Sequence, residues 1–225
     1  MTTATHIFLA GASRGVGREI AHCLIAQNFQ VTALLRSNAS RTELEAMGIQ
    51  VVLGDALNLA DLEQAMLELP PIQAAISTIG GLPKDGQRAD YLGNKNLIDA
   101  ALKAGVERFI LVSSIGSGSS AIALPPQALQ TLGAVLVEKE QAEKHLIASG
   151  LCYTIIRPGG LKTEPATGNG VLTEDPRIAG TIHRADVARL VCQCILSDRA
   201  NNKILSAVDR HMVYGQPQLA EFGLD

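Results

Sequence analysis

The sequence has 225 residues, of which 47% are hydrophobic, and this length suits one α/β domain with a sizeable core. The formal net charge is −3, aromatic residues make up 3% and tryptophan is absent, so a nucleic-acid-binding surface is not expected. No apolar run approaches the roughly 20 residues of a membrane-spanning helix, so no transmembrane segment is expected either.

Short apolar runs alternate along the chain with longer segments of helical period, which is typical of a parallel sheet covered on both faces. The predicted strands are His6–Ala10, Gln30–Leu35, Gln50–Leu53, Ala74–Thr78, Phe109–Ser113, Cys152–Arg157 and Lys203–Ala207. The predicted helices are Val16–Gln27, Arg41–Met47, Leu59–Leu67, Ala89–Ala104, Gly133–Ala148 and Ala185–Leu196. We therefore predict an α/β fold, a Rossmann-type doubly wound parallel sheet of about seven strands, in a single domain over residues 1–225.

Two stretches, Gly80–Arg88 and Gly159–Gly180, have no clear helix or strand pattern. Both follow the carboxyl ends of predicted strands, where open α/β sheets bind their ligands. They are either loops that close over a substrate or ordinary connections, and their length and position favour the first alternative. We expect small substrate-loop elements within residues 159–183.

A glycine-rich motif follows the first predicted strand and opens the first predicted helix. It reads Gly11-Ala12-Ser13-Arg14-Gly15-Val16-Gly17. Here Gly11 would allow a tight turn, Gly15 a close approach of the backbone to a pyrophosphate, and Gly17 close packing of helix and strand. The helix would offer free N–H groups and its positive dipole end to the phosphates. The motif predicts a dinucleotide site, the alternative being a glycine-rich turn without a ligand.

The end of the second predicted strand indicates which dinucleotide binds. An NAD site usually has an acidic residue there for the ribose 2′-hydroxyl, whereas this chain reads Leu34-Leu35-Arg36-Ser37. Arg36 can pair with a 2′-phosphate, and Arg14 in the glycine motif can reach the same group. The pattern predicts NADP(H) as the cofactor, and the alternative for Arg36 is a solvated charge at a strand end.

Further cofactor contacts are predicted after the third and fourth strands. Asp55 either accepts a hydrogen bond from the adenine amino group or caps the helix near Leu59, although Asn58 or Asp61 could also cap it. Small residues at these strand ends would lie against the adenosine and its ribose. They are Thr78, Ile79, Gly80 and Gly81, and Ala56 after Asp55 is a further predicted contact of the cofactor.

These motifs resemble the short-chain dehydrogenase/reductase superfamily, in its atypical NAD(P)H-binding branch. The spacing Gly11-x-x-x-Gly15-x-Gly17 is the superfamily's glycine pattern, and Leu111-Val112-Ser113-Ser114 resembles its fifth-strand serine segment. The segments Glu138–Leu151 and Cys152–Leu161 are similar to those of biliverdin-IXβ and flavin reductases, NmrA-like proteins and a dehydrogenase-like chloroplast translocon component. The resemblance covers essentially the whole chain.

The resemblance implies roles near the nicotinamide. Lys139 matches the lysine of the superfamily's Tyr-x-x-x-Lys pair and would hold the nicotinamide ribose, unless it pairs on the surface with Glu143. The tyrosine, which normally acts as general acid, is replaced by Val135. The candidate catalytic residues are therefore Lys139, Ser113 and Ser114. The two serine hydroxyls would donate a hydrogen bond to a substrate oxygen or to the cofactor carboxamide, or they would only cap a turn. The segment under the nicotinamide would be Pro158, Gly159, Gly160 and Leu161.

Without a tyrosine acid, the expected substrate is a planar conjugated small molecule, a flavin, quinone or bilin, which accepts hydride and takes its proton from water. The alternatives are a non-catalytic NADP(H) sensor or scaffold, and action on a nucleotide-sugar or isoflavone-like substrate. His183 is a candidate acid, or else an ordinary cap or surface group. No metal site is expected, and a monomer is favoured over an oligomer.

The four cysteines are Cys23, Cys152, Cys192 and Cys194, and their spacing does not suit a metal site. We expect small core residues in a reducing compartment rather than disulfides or zinc ligands. No signal-peptide pattern precedes the first strand, so the expected location is the cytoplasm, or the plastid stroma if a transit peptide has been removed.

Overall fold

Ten β-strands and six α-helices alternate along residues 5–81, 88–215 and 218–225, which are the residues that the computed structural model describes. The strands are β1 (His6–Ala10), β2 (Gln30–Leu35), β3 (Gln50–Leu53), β4 (Ala74–Ser77), β5 (Arg108–Val112), β6 (Cys152–Pro158), β7 (Gly160–Lys162), β8 (Gly170–Thr173), β9 (Thr181–His183) and β10 (Lys203–Asp209). The helices are α1 (Gly15–Ala26), α2 (Arg41–Ala46), α3 (Leu59–Leu67), α4 (Leu92–Lys103), α5 (Pro126–Ala148) and α6 (Arg184–Leu196). Of the predicted loop Gly80–Arg88, residues 82–87 lie outside the described residues.

Eight strands form one sheet in the order β3-β2-β1-β4-β5-β6-β10-β8, and β7 pairs with β9 in a separate small sheet. Neighbours in the large sheet pair in parallel except β8, which runs antiparallel to β10 at one edge. The strand order reverses between β1 and β4, which opens a crevice at their carboxyl ends. The predicted doubly wound Rossmann-type fold is confirmed, with one antiparallel edge strand added.

The two faces of the large sheet pack against separate hydrophobic layers. Side chains alternate along β1, so that Ile7 and Leu9 belong to one layer and Phe8 and Ala10 to the other, and all four are fully buried. Helices α1, α2 and α6 cover the first layer, whereas α3, α4 and α5 cover the second. Burial on both faces explains why the strands are continuous apolar runs in the sequence. No helix within the described ranges is long and apolar enough to cross a membrane.

The structure differs most from the predicted elements in two places, and α4 also begins at Leu92, three residues after the predicted Ala89. Helix α5 begins at Pro126, about two turns before the predicted start at Gly133. Proline suits this first turn, but residues 126–132 are mostly exposed, so no apolar period marks the turn in the sequence. The stretch Gly159–Gly180 contains β7 and β8, whose partners β9 and β10 are set by tertiary pairing and not by a local pattern.

The four cysteines are free thiols in different environments. Cys23 on α1 is half-buried, and a hydrogen bond with the Cys192 thiol on α6 lowers the pKa of Cys23 to about 7. The same contact raises the pKa of Cys192, and burial raises the pKa of Cys194 to about 12. Cys23 is therefore the thiol of this helix pair that ionises near neutral pH.

We expect iodoacetamide to alkylate Cys23 before Cys192 and Cys194 in the folded protein, because the thiolate is the reactive form. The rate should rise between about pH 6 and pH 8, on either side of the lowered pKa. Peptide mass spectrometry after timed alkylation measures both, with the Cys23→Ser variant as control. Labelling of Cys194 as fast as Cys23 before unfolding would contradict this assignment.

Candidate functional site

The glycine motif forms a turn in the crevice between β1 and β4. Gly11 has a φ of +98°, a left-handed conformation that glycine adopts without strain. A Cβ on Gly11 would lie 2.3 Å from the Thr78 hydroxyl oxygen, and a Cβ on Gly17 would lie 2.1 Å from the Gly11 carbonyl oxygen. Because backbone and Thr78 fill this space, the turn and the close packing of α1 both require glycine.

The turn leads directly into the N-terminus of α1. Ser13, Arg14 and Gly15 are exposed at this end. The buried members of the motif are Ala12, Val16 and Gly17. The first turn of α1 has no acidic residue, and no side chain caps it. Its N–H groups and positive dipole end are thus available to an anion, and this end of α1 can hold a pyrophosphate.

Arg36 directly follows β2 at the same edge of the sheet, with an exposed side chain. Within the described ranges, neither Arg36 nor Arg14 forms a salt bridge, in contrast to most arginines of the chain. A groove of about 750 Å³ lies mainly along β3 and α3, and its lining includes Arg36, Gly54 and Asp55. The unpaired charge of Arg36 can bind a 2′-phosphate, and this contact stays a prediction.

Asp55 lies in this groove and does not cap α3. The side chain of Asn58 caps that helix by accepting a hydrogen bond from the Ala60 N–H at 3.1 Å. Asp55 Oδ1 accepts instead from the N–H of Leu57 at 3.0 Å, within its own turn. The capping alternative is therefore excluded, and the contact with adenine stays a prediction. The next residue, Ala56, is held through its carbonyl oxygen by a hydrogen bond from α4 at 3.0 Å.

The residues after β4 line the other side of the crevice. Thr78 stands behind the glycine turn, where its N–H donates to the Ala10 carbonyl oxygen at 2.9 Å. Ile79 is half-buried and packs against the second hydrophobic layer. Gly80 is exposed. Thr78 and Ile79 thus contribute to packing at the crevice, and contacts of these three residues with a cofactor stay a prediction.

Lys139 reaches this same loop from α5. Its Nζ lies 3.4 Å from Oδ1 of Asp90, which is fully buried, and a Cβ on Gly80 would lie 3.2 Å from Nζ. Glu143, the surface partner considered above, is buried and bound to Arg157. The alternative of a Lys139–Glu143 surface pair is therefore wrong. Sequence reasoning missed Asp90, because nothing local links it to a lysine on the next helix.

Val135 lies one helical turn before Lys139 on α5 and is half-buried. No hydroxyl or acid occupies this position. Tyr153 on β6 and Tyr91 before α4 both pack against the second hydrophobic layer. Neither tyrosine replaces the missing acid at Val135.

Ser113 and Ser114 follow β5, and both hydroxyls are engaged. The Ser113 hydroxyl donates to Oε1 of Glu143, which also binds Arg157 Nε at 3.1 Å, while Oε2 binds Nη2 at 2.6 Å. Arg157 Nη1 also donates to the Ser119 hydroxyl at 2.9 Å. The Ser114 hydroxyl donates to a neighbouring backbone carbonyl at 3.0 Å. Ser113 therefore has only lone pairs to offer a ligand.

The backbone after Pro158 turns where no side chain fits, because a Cβ on Gly159 would lie 2.3 Å from a backbone carbonyl oxygen before β9. Leu161 beyond it is 41% exposed, and Tyr214 is 60% exposed. The Tyr214 hydroxyl oxygen lies 3.9 Å from the position of a Cβ on Gly160. Leu161 and Tyr214 are thus two exposed apolar side chains near Gly160, and we refer to them as the apolar rim. Sequence reasoning missed Tyr214, although an exposed aromatic is notable in a chain with 3% aromatic residues.

His183 is only 4% exposed, so it does not face an open substrate site. Together with the fully buried Asp186 and Asp209 it forms a cluster whose ligand atoms lie within 4.8 Å of one another. The Thr167 hydroxyl lies 3.2 Å from Asp186 Oδ2 and also contacts Asp209 Oδ2, and the Thr167 N–H donates to Asp186 at 2.8 Å. Because Thr167 bridges the carboxylates, this cluster anchors the segment after β7 to α6 and β10.

Comparison with known proteins identifies the family of the chain. Residues 11–198 match the sequence model of a family described as NAD(P)H-binding. The chain belongs to this family. The match begins at the glycine motif, and it confirms both the resemblance to the NAD(P)H-binding branch and a nicotinamide dinucleotide as the cofactor of this family member.

Two curated relatives cover most of this family member. It is 36% identical over 215 residues to an uncharacterized chloroplastic protein of Arabidopsis thaliana, covering 91% of this chain and 76% of the relative. It is 30% identical over 242 residues to the sanguinarine reductase of Eschscholzia californica, and the match covers 88% of this chain and 86% of that reductase. The chain also matches the chloroplastic protein TIC 62 of rice at 33% identity, but spans only 46% of that protein's length.

A solved structure shares the fold over most of the chain. The anaerobillin reductase ChuY of Escherichia coli O157:H7 has a TM-score of 0.84 at 33% identity, covering 95% of this chain and 100% of that one. Together with the family match, these relatives place the protein in a family of NAD(P)H-dependent oxidoreductases.

We expect Glu143→Gln to lower the free energy of unfolding by about 3–5 kcal/mol, because it leaves the buried Arg157 without its countercharge. The double variant Glu143→Leu/Arg157→Met should recover most of this loss. Urea unfolding followed by circular dichroism measures both.

The matched control is Lys144→Gln, which breaks the exposed Lys144–Glu140 pair on the same helix. Its loss should stay below about 1 kcal/mol. A Glu143→Gln loss as small as the control's would show that the buried pair is not what holds the loop after β5.

Proposed function

We propose that the protein is an NADPH-dependent reductase that passes hydride to a planar conjugated acceptor such as a flavin, a quinone or a bilin. The observation that carries this proposal is Val135, an apolar residue one turn before Lys139, where a reductase of simple ketones needs an acid. Bound NADPH supplies the hydride. The chain's own residues hold the cofactor and the acceptor together.

The missing acid limits the chemistry that the site can promote. A simple ketone reduced without a placed proton donor loses a factor of about 10²–10⁴ in rate. A conjugated acceptor instead spreads the incoming charge over its own ring system and takes a proton from water. Proximity then accounts for most of the rate enhancement. The Ser113 hydroxyl donates its proton to a hydrogen bond with Glu143, so it is not available to a substrate. This agrees with the proposed chemistry, because no step of it needs a proton donor at the end of β5.

The rim formed by Leu161 and Tyr214 suits an acceptor of this shape. Both side chains are exposed beside the backbone at Gly160. An aromatic ring and a leucine offer a flat acceptor apolar contact and stacking without requiring charge. Two relatives of the chain that cover most of it are named as reductases, which supports hydride transfer over a purely structural role.

The proposal assigns the cofactor to the residues predicted from the sequence. The pyrophosphate would lie on the glycine motif at residues 11–17, the 2′-phosphate beside Arg36 and Arg14, adenine beside Asp55, and the nicotinamide ribose beside Lys139. The remaining contacts are assigned to Ala56, Thr78, Ile79, Gly80, Ser113, Pro158, Gly159, Gly160 and Leu161. Substrate contacts would come from elements within residues 159–183.

The deciding experiment follows NADPH oxidation by absorbance with FMN, menadione and biliverdin, and with a simple aryl ketone as the matched control acceptor. We expect turnover of at least one conjugated acceptor and none of the ketone above background. Tyr214→Phe should keep that turnover within about twofold, because water supplies the proton. Tyr214→Ala should raise the KM for the acceptor through loss of the rim.

Two results would contradict this proposal. Ketone turnover comparable to that of the conjugated acceptors, or a loss of about 10²–10⁴ in Tyr214→Phe, would mean that the site has a proton donor after all. Tight NADPH binding without turnover of any acceptor would favour the alternative of a non-catalytic NADP(H) sensor or scaffold.

Selectivity for NADPH has a separate test at Arg36. We expect Arg36→Ala to weaken NADPH binding by about 10- to 100-fold, because it removes charge-assisted hydrogen bonds to the 2′-phosphate, and to leave NADH binding nearly unchanged. Isothermal titration measures both affinities. Arg210→Ala, which removes an exposed arginine paired with Glu221, is the control for the loss of one charge. Equal losses for NADPH and NADH in Arg36→Ala would show that Arg36 does not bind the 2′-phosphate.

A further inference from the structure

Most arginines of the chain have an acidic partner. Within the described ranges, eight of the twelve arginines form salt bridges with carboxylates. The four others are Arg14, Arg36, Arg184 and Arg199, and Arg199 donates to a backbone oxygen of the last residue. A guanidinium keeps its charge at any ordinary pH, so the remaining three are available to an anion. The proposed function already gives Arg14 and Arg36 an anionic partner, the 2′-phosphate, whereas it gives Arg184 no anionic partner.

Arg184 is the first residue of α6, and its side chain reaches across to the glycine motif. Its Nε lies 3.8 Å from the position that a Cβ on Gly15 would occupy. Its Nη1 donates to the Thr163 hydroxyl at 2.7 Å and to the Leu161 carbonyl oxygen at 3.4 Å. The guanidinium therefore spans the distance between the segment after β6 and the exposed N-terminus of α1.

Three of the five N–H groups of this guanidinium, those on Nε and Nη2, have no protein acceptor within the described ranges. They lie beside Gly15, where the backbone is exposed and the first N–H groups of α1 are uncapped. An anion between them would receive donors from two sides, from the helix on one and from the arginine on the other. The pyrophosphate of a dinucleotide has the charge and the position for this arrangement.

We propose that Arg184 binds the cofactor pyrophosphate and holds it against the N-terminus of α1. Because the same guanidinium binds Leu161 and Thr163, the bound cofactor fixes the segment that forms the acceptor rim. This inference rests on the proposed cofactor site and adds a residue from the far end of the chain to it. It also predicts an order of binding, in which NADPH binds first and the acceptor follows.

The other source of an anion at this place is a carboxylate of the acceptor. The two sources differ in a measurable way, because the pyrophosphate is common to NADPH and NADH and independent of the acceptor. We therefore expect Arg184→Ala to weaken both nucleotides by about tenfold or more and to the same extent. Arg36→Ala, in contrast, should affect NADPH alone. Arg184→Lys should retain part of the binding, since it keeps the charge but not the fork geometry.

The test is isothermal titration of NADPH and NADH into the wild-type protein and into the Arg184→Ala, Arg184→Lys and Arg36→Ala variants. Biliverdin, which carries carboxylates, is titrated into the same proteins loaded with NADP⁺. The matched control is Arg177→Ala, which removes an exposed arginine paired with Asp175 in the loop after β8. Melting temperatures separate lost binding from lost folding, and Arg184→Lys serves if Arg184→Ala does not fold.

Equal loss of NADPH and NADH in Arg184→Ala, with Arg177→Ala unchanged, supports the proposal. Unchanged nucleotide binding with weakened biliverdin binding overturns it and assigns Arg184 to the acceptor carboxylate. Unchanged binding of all three ligands overturns it as well. If the wild-type protein binds neither nucleotide, the proposed function fails too, and this result is distinct from a failure at Arg184 alone.

Discussion

The fold and the cofactor site both depend on one close approach of backbone, where β1 turns into α1 beside the end of β4. Gly17 touches the carbonyl of Gly11, and Thr78 fills the space behind both. This contact aligns α1 so that its uncapped N-terminus faces the crevice at the reversal of the strand order. A side chain at either glycine would move the helix, and with it the donors that an anion needs. The same contact therefore serves packing and binding.

Charge is distributed in two distinct ways around this crevice. Inside the protein, charged groups lie against protein partners: Glu143 binds Arg157, and Asp90 lies 3.4 Å from both Lys139 Nζ and Arg88 Nε. Such pairs fix the positions of side chains more than they add to the free energy of unfolding, because the cost of desolvating the two charges offsets much of their mutual attraction. At the crevice, in contrast, Arg14, Arg36 and Arg184 have no acidic partner among the described residues. An arginine without an acidic partner can bind an anion, and this is the role that we propose for these three residues.

The chemistry proposed for the site depends on two residues of α5, Lys139 and Val135. Lys139 is held at the crevice by Asp90, whereas Val135 one turn earlier offers only a hydrocarbon surface. The Ser113 hydroxyl, which could have donated to a substrate, is bound to Glu143 in the core. What remains at the open end is an apolar rim with one phenol. A site of this kind favours acceptors that stabilise the transferred charge themselves.

The sequence by itself determined the order of the seven parallel strands and the six helices, the bounds of β1, β2 and β3, the glycine motif, Arg36 and the loss of the tyrosine. These features are local, because buried strands form apolar runs and a tight turn requires glycine wherever it occurs. The tertiary structure alone decided the partners: Asp90 for Lys139, Glu143 for Ser113, and Gly15 for Arg184. It also decided the pairing of β7 with β9 and the place of Tyr214. These contacts join residues far apart in the chain, so their geometry is set by how the layers pack and no local pattern encodes it.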